Sequence, residues 1–478
     1  MKHIKYLIFT VLVSLVSCDT EEFLNPLPDS VVAIDGFFQT DADVLAGVIG
    51  IYDAIQGVND FTDSNESRVN RGVQFEHLLT EHRTDNTRNA TTEGSKADFH
   101  RYLVNANNVE TEDYYASMYE VIFRANNILN FIDIADPSNQ AKYTAEAKFC
   151  RAYAYFKLVR LFGDVPLVTA VVAPGDKETP FIRTPQAEVY AQIVADLQEA
   201  INVLDNSSKV RASRAAAQGI LAKVYLSQPS PNYSGAQQLC EAIINSGEFS
   251  LESNFSDVFY SELNNEIIFA IQYEEGNPLE SQGFSAEFTS AVRAGAEDGQ
   301  NILEQNLIDD FTAAGGNRTA VSYVTIGLSN EVAKFFPNGF DSTADPSYGI
   351  NARDAGNDYI ALRYADVLLM HVEAIMAGGN SASSAAALSS FQAVRDRAGL
   401  TTPVTNITQD DLLLERRVEL AFENQRFFDL LRFGVADGVL GTFAANNDYV
   451  FDARDLLLPI PASEINLSGG LLTQNPGY

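Results

Sequence analysis

Residues 141–162 are the stretch that most narrows what this chain can become. Phe149, Ala152, Tyr153, Phe156 and Val159 recur at helical spacing along one broad face, with neither glycine nor proline inside the run. Gly163 and then Pro166 follow, a pattern that stops a helix because glycine accepts the turn at its end and proline cannot extend it. A helix apolar over so wide a face needs partners on more than one side. The chain supplies them. Val44, Val48, Ile51, Tyr52 and Ile55 repeat the spacing within 41–57, and Met118, Val121, Ile122, Ala125 and Leu129 within 114–134. Further helical patterns cover 186–204, 213–226, 236–245, 362–376, 385–398 and 411–433.

Small and aromatic positions alternate along these segments, as in tetratricopeptide-like helix pairs, where alanines let neighbouring helices approach closely. The expected fold is therefore mainly α: a TPR-like helix-pair scaffold with loop-rich insertions and a few short strands. The insertions are expected at about 59–108 and 266–359. The second opens with a short strand, Ile267–Ile271, and goes on through Gly315-Gly316-Asn317 and Pro337-Asn338-Gly339. Long loops in a compact domain are often functional. Residues 41–478 are read as one domain carrying both insertions.

The N-terminus reads as an address. Met1-Lys2-His3-Ile4-Lys5 is basic, Tyr6 to Val16 is nearly all apolar, and Leu15-Val16-Ser17-Cys18 ends the run. The apolar stretch is too short to span a bilayer and has the build of a secretory signal. A cysteine directly after a small residue resembles a bacterial lipobox, so residues 1–18 are expected to be a lipoprotein signal with Cys18 lipidated. Residues 19–40 form an acidic tether and extended segment. Asp19, Glu21 and Glu22 within it resemble the surface-export signal of Bacteroidetes lipoproteins. The net charge of −32 repels phosphate backbones and excludes nucleic acid as a partner. Cys150 and Cys240 sit within helical patterns as small apolar residues, and a disulfide between them is left open.

Four segments, in order, resemble the SusD/RagB family of outer-membrane nutrient-binding lipoproteins. They are Glu146-Ala-Lys-Phe-Cys-Arg-Ala-Tyr-Ala-Tyr-Phe156 running into Leu161-Phe-Gly-Asp-Val-Pro-Leu167; Leu362-Arg-Tyr-Ala-Asp-Val-Leu-Leu369 with Glu373; Glu415-Arg-Arg-Val-Glu-Leu-Ala-Phe-Glu423 with Phe428-Asp-Leu-Leu-Arg432; and Leu458-Pro-Ile-Pro-Ala-Ser-Glu-Ile465, ending Gln474-Asn-Pro-Gly-Tyr478. The resemblance implies a non-catalytic lipoprotein at the outer membrane, facing the cell exterior. It would capture an oligosaccharide, or alternatively a peptide, and pass it to a SusC-like TonB-dependent transporter without any cofactor. Within these motifs Glu415, Arg416, Arg417, Glu419 and Arg432 are read as helix-packing ion pairs. The chain departs from sugar-binding relatives in lacking tryptophan altogether: Phe427 and Phe433 stand where those often carry it. Any stacking platform is then Tyr or Phe.

The most unusual local composition lies between His77 and Tyr102. His77, His82 and His100 fall there beside Arg83, Arg88, Lys96 and Arg101, interleaved with Glu81, Asp85, Asn86 and Asn89. In so acidic a chain, a basic, amide-rich stretch is a candidate for reading carboxylate or hydroxyl groups. His82, Arg83, Asp85, Asn86 and Tyr102 are therefore the first ligand-binding candidates, and Phe284 and Phe288 the second. The segment from His77 to His82 lacks metalloprotease spacing, and on a helix the two histidines would point about 140° apart, so no metal site is expected. Asp354, Asn357 and Asp358 are oxygen-rich but lack EF-hand spacing. A surface glycoside hydrolase is the rival reading, though carboxylate pairs among 64 acidic residues are uninformative. No P-loop, GxGxxG or nucleophile elbow occurs.

Overall fold

The computed structural model describes residues 34–57, 72–277, 279–288, 301–326, 329–336 and 352–478. The signal, Cys18 and most of the tether lie outside them, as does Pro337-Asn338-Gly339. The helical patterns are helices, except that the one expected over 411–433 is broken at 420–425 and resumes only as Arg426–Arg432: α1 Asp41–Gln56, α2 Val109–Asn130, α3 Pro137–Phe162, α4 Gln186–Val203, α5 Arg214–Ser227 and α6 Tyr233–Ser246, then α7 Tyr364–Met376, α8 Ala385–Arg397 and α9 Gln409–Glu419. Their ends have local causes. Thr40 caps α1 in a reciprocal box with Asp43, Pro137 opens α3, and Gly163, at φ 73°, ends it. Thr408 and Asp411 repeat the box at α9.

From α1 to α8 each helix packs on the next, which is the expected helix-pair scaffold. Ala145, Ala147, Ala152 and Ala154 of α3 are buried among the aromatics of the same helix. The approach is close at Gly219 of α5, where a Cβ would lie 2.3 Å from Leu362 Cδ2. No side chain fits there without displacing Leu362. The main core runs from Phe38 to Leu472, with a smaller cluster between α7 and α8.

Strand β1, Ile267–Ile271, pairs antiparallel with β2, Tyr359–Arg363, setting Ile271 against Tyr359 and Ala270 against Ile360. Both strands are buried throughout, so β1 reads as a continuous apolar run rather than an alternating one. Cys150 and Cys240 are buried free thiols; burial pushes both thiols well above their ordinary range.

The family-like motifs are ties between distant elements. Glu419 accepts from Arg363 at 2.5 Å, from Arg318 at 2.9 Å and from Arg397. Glu423 pairs with Arg363 and Lys334, each at 2.7 Å. Arg416 bridges Asp366 and Asp429, and Arg432 holds Glu373 at 2.8 Å. The tail is clamped through Asn475, whose side-chain amide donates to the carbonyls of Phe162 and Leu458. The sequence reading of these residues as packing ion pairs matches the geometry.

Candidate functional site

The His77–Tyr102 segment lies in the interior. Helix Glu76–Leu79 gives way at Thr80 to a 3-10 turn, Glu81–Arg83, and Thr87–Arg88 pairs with Ile302–Leu303. His82, Arg83, Asp85, Asn86 and Tyr102 are all buried. Arg83 donates to the carbonyls of Leu79 and Asp455 and stacks on Phe427, its guanidinium carbon 4.1 Å from the ring centre. Burial brings its pKa down to about 10. Asp85 receives two bonds of 3.0 Å from Arg426 and pairs with Arg417 at 3.1 Å. These cations hold its carboxyl below the usual range against the opposing effect of burial. Asn86 donates to Glu81 at 3.0 Å and accepts from Arg417 at 2.8 Å. The Tyr102 hydroxyl donates to the Arg83 carbonyl at 3.3 Å, and its ring meets Phe451 edge-on.

The expectation of a ligand-reading surface loop is therefore corrected in its premise. Asp85 and Asn86 answer the buried cations Arg417 and Arg426, and Arg83 is taken up by the carbonyls of Leu79 and Asp455, so these candidates belong to the interior rather than to a surface loop. Asp85 alone also reaches an open hollow, of about 530 Å³, shared with Glu304 and Asn306. The break in helix at Thr80 brings the His77 and His82 rings to 5.4 Å, which uniform helical geometry would not. Burial lowers both pKa values, that of His77 to about 3. Among the described residues no group of three or more His, Cys, Asp or Glu could hold a metal ion. Phe284 and Phe288 are also core: they pack with Phe335, and Phe284 meets Tyr273 edge-on at 5.9 Å.

Tyr273 is the link to the main cavity. This opening, of about 870 Å³, lies where β1 ends and β2 begins, and its walls come from 258–262, 272–277, Glu280 and 356–360, with Gln56 of α1. Val258, Ile267 and Ile360 supply an apolar floor, and Phe259, Tyr260 and Tyr273 are its aromatics. Glu262, Glu274, Glu275, Glu280 and Asp358 line it with the amides of Gln56, Gln272, Asn277 and Asn357, and no Lys or Arg joins them among the described residues. The volume falls within the range of small-ligand sites.

Several of these groups are held in place. The Tyr260 hydroxyl donates to the Ala333 carbonyl and accepts from Phe336 N at 3.2 Å. The Tyr273 hydroxyl donates to the Gln56 carbonyl at 2.8 Å, and the Gln56 amide donates to the Gln272 carbonyl at 2.8 Å. Asp358 Oδ1 accepts from Tyr273 N at 3.2 Å, while Oδ2 is buried without a partner. Burial first, and then the charge of Glu262, pushes the Asp358 pKa up to about 7. A wall of carboxylates and amides over aromatic and aliphatic surface can accept hydrogen bonds from many hydroxyls.

The sequence marks 266–359 as a loop-rich insertion of the kind that is often functional, and singles out Asn357 and Asp358 only as oxygen-rich side chains without EF-hand spacing. Glu262, Gln272 and Glu274 went unnoticed. Their one signal was position: they flank β1, and the Ile271–Tyr359 pairing sets that flank beside Asp358. No described helix is long and apolar enough to cross a membrane.

Residues 43–226 match a family model described as starch-binding associating with outer membrane, and residues 323–478 match the SusD family model. The whole chain is 30% identical to a SusD-like protein P2 of Formosa agariphila, with 100% of each chain covered. Among solved structures, a SusD superfamily protein from Parabacteroides distasonis is 26% identical with a TM-score of 0.77, covering 91% of this chain and 99% of that one. Surface glycan-binding protein A from Bacteroides thetaiotaomicron, in complex with laminarihexaose, is 21% identical with a TM-score of 0.74, over 91% of this chain and 99% of that one. This last likeness is one of fold.

Proposed function

The chain belongs to the SusD family, and from that premise we propose that it is a non-catalytic surface lipoprotein that captures a neutral oligosaccharide in the main cavity. It hands this to a SusC-like TonB-dependent transporter in the outer membrane, where lipid on Cys18 tethers it. The observation that carries the reading is the chemistry of the cavity wall. Glu262, Glu274 and Glu275 are hydrogen-bond acceptors that would repel uronates and sulfates but accept bonds from sugar hydroxyls. Phe259, Tyr260 and Tyr273 take the stacking role left open by the lack of tryptophan. The solved complex of a structural neighbour with laminarihexaose supports an oligosaccharide as the class of ligand.

The acidic wall also suits a peptide with Lys or Arg side chains, and that is the second reading. Calorimetry of the detergent-solubilised full chain against neutral oligosaccharides and basic peptides separates them. We expect a neutral oligosaccharide to bind with weak dependence on salt, and Glu274→Gln to weaken it about three- to tenfold. A basic peptide as the better ligand, its affinity collapsing with salt, would replace this reading with the second. Prolonged incubation should release no new reducing ends; turnover abolished by one acidic substitution would make the protein an enzyme.

A further inference from the structure

On another part of the molecule, a smaller hollow has the opposite electrostatics. It measures about 360 Å³ and lies where the ends of α3 and α5 meet the helix Arg426–Arg432. Arg160 and Arg432 line it, and among the described residues no carboxylate does. In a chain of net charge −32 that is a local reversal of sign.

The two arginines differ. Arg432 is satisfied by Glu373 and Asp429. Arg160 sits between two rings, its guanidinium carbon 3.9 Å from the centre of Phe156 and 3.7 Å from that of Phe428. Its Nε donates to the Phe156 carbonyl at 3.1 Å. Its two terminal nitrogens have no acceptor among the described residues. With both faces covered by rings, the guanidinium can direct these N–H groups only outward at its edge. The half-buried guanidinium makes no ion pair among the described residues, so this edge is open to a ligand's counter-charge. A second orphan lies in the same wall: Ser227 Oγ is buried and makes no hydrogen bond. The Gln228 side chain lines the hollow too, and Leu226, Pro229 and Pro231 give it apolar sides.

We propose that this hollow binds a monosaccharide-sized molecule carrying a carboxylate, which takes the free Arg160 edge and the Ser227 hydroxyl. A planar guanidinium pre-set between two rings matches a carboxylate with two parallel hydrogen bonds, at little entropic loss. The site is separate from the main cavity and does not rest on the oligosaccharide reading.

The test is a ligand-observed NMR titration of the detergent-solubilised full chain at low salt, using glucuronate with glucose as the neutral control. Glucuronate should saturate and glucose should not. Arg160→Met keeps the side chain's bulk and should weaken glucuronate about tenfold or more, and Ser227→Ala about three- to tenfold. Glu274→Gln, in the main cavity, should leave it unchanged. Equal binding of the two sugars, no saturable glucuronate signal, or full affinity in Arg160→Met would overturn the proposal. Should Arg160→Met fail to fold, Ser227→Ala decides, and undiminished affinity there overturns it as well.

Discussion

Asp358→Asn should stabilise the protein, and by an amount that depends on pH. The carboxyl sits in the cavity wall with Oδ2 unpartnered and Oδ1 on Tyr273 N, a bond that asparagine's oxygen can keep. Its pKa is carried from an ordinary 3.8 to about 7, chiefly by burial. At about 1.4 kcal/mol per tenfold, the charged form is disfavoured by about 4 kcal/mol. Asp358 is not fully enclosed, and water at the cavity mouth reduces this to about 2 kcal/mol. The sign follows from proton counting. Between about pH 4 and 7 the folded chain holds a proton that the unfolded chain has released, so this group's contribution to stability falls as pH rises through that window. Below it both states are protonated; above it the penalty is complete.

His77 and His100 are held neutral by burial, with pKa values near 3 and 4, and act oppositely: their contribution is lost as pH falls below about 6.5. Raw stability curves mix these slopes, but the difference between wild type and Asp358→Asn cancels them. Urea unfolding of both proteins from pH 4 to 8 should give a difference near zero at the acid end, growing to about 2 kcal/mol in favour of the variant. A flat difference, or a less stable variant at pH 8, would refute the reasoning.

Glu419→Ala strips Arg318, Arg363 and Arg397 of a shared buried partner. It should cost about 3–5 kcal/mol in urea unfolding, and oligosaccharide affinity should change only if the fold does. Arg83→Ala removes two hydrogen bonds to carbonyls and the Phe427 stack. We expect a loss of about 2–4 kcal/mol in stability with affinity intact by calorimetry, and weakened binding without destabilisation would restore the sequence-based assignment. Phe284→Ala opens a void behind Tyr273. It should cost about 3–5 kcal/mol and loosen the cavity wall, seen as melting at lower temperature together with weaker oligosaccharide binding. Cys18→Ala should shift the protein from the detergent phase to the aqueous phase in phase partitioning, or stall its processing; unchanged retention once the transporter is removed would exclude the lipid anchor.

Helices, their ends and the family were legible in the chain because the interactions that set them are local. Thr40 with Asp43, Pro137 and Gly163 act within a turn, and the apolar spacing of Phe149, Tyr153 and Phe156 repeats within one helix. The basic stretch around Arg83 was visible too, but composition carries charge without its partner. Asn86 and Arg417 meet across 331 positions, and Asp85 and Arg426 across 341, so only folding decided that this charge belongs to the core. The main cavity depended on tertiary structure more completely. Gln56, Tyr260, Gln272 and Asp358 come from separate parts of the chain and share no local pattern, and the pairing of β1 with β2 places two of their segments side by side. Arg160 shows the limit most directly: in sequence it is one more residue of a helix, and only the rings of Phe156 and Phe428, packed on its two faces, leave its edge free. Short-range order is written in spacing; which charge meets a partner is settled by packing between residues hundreds of positions apart.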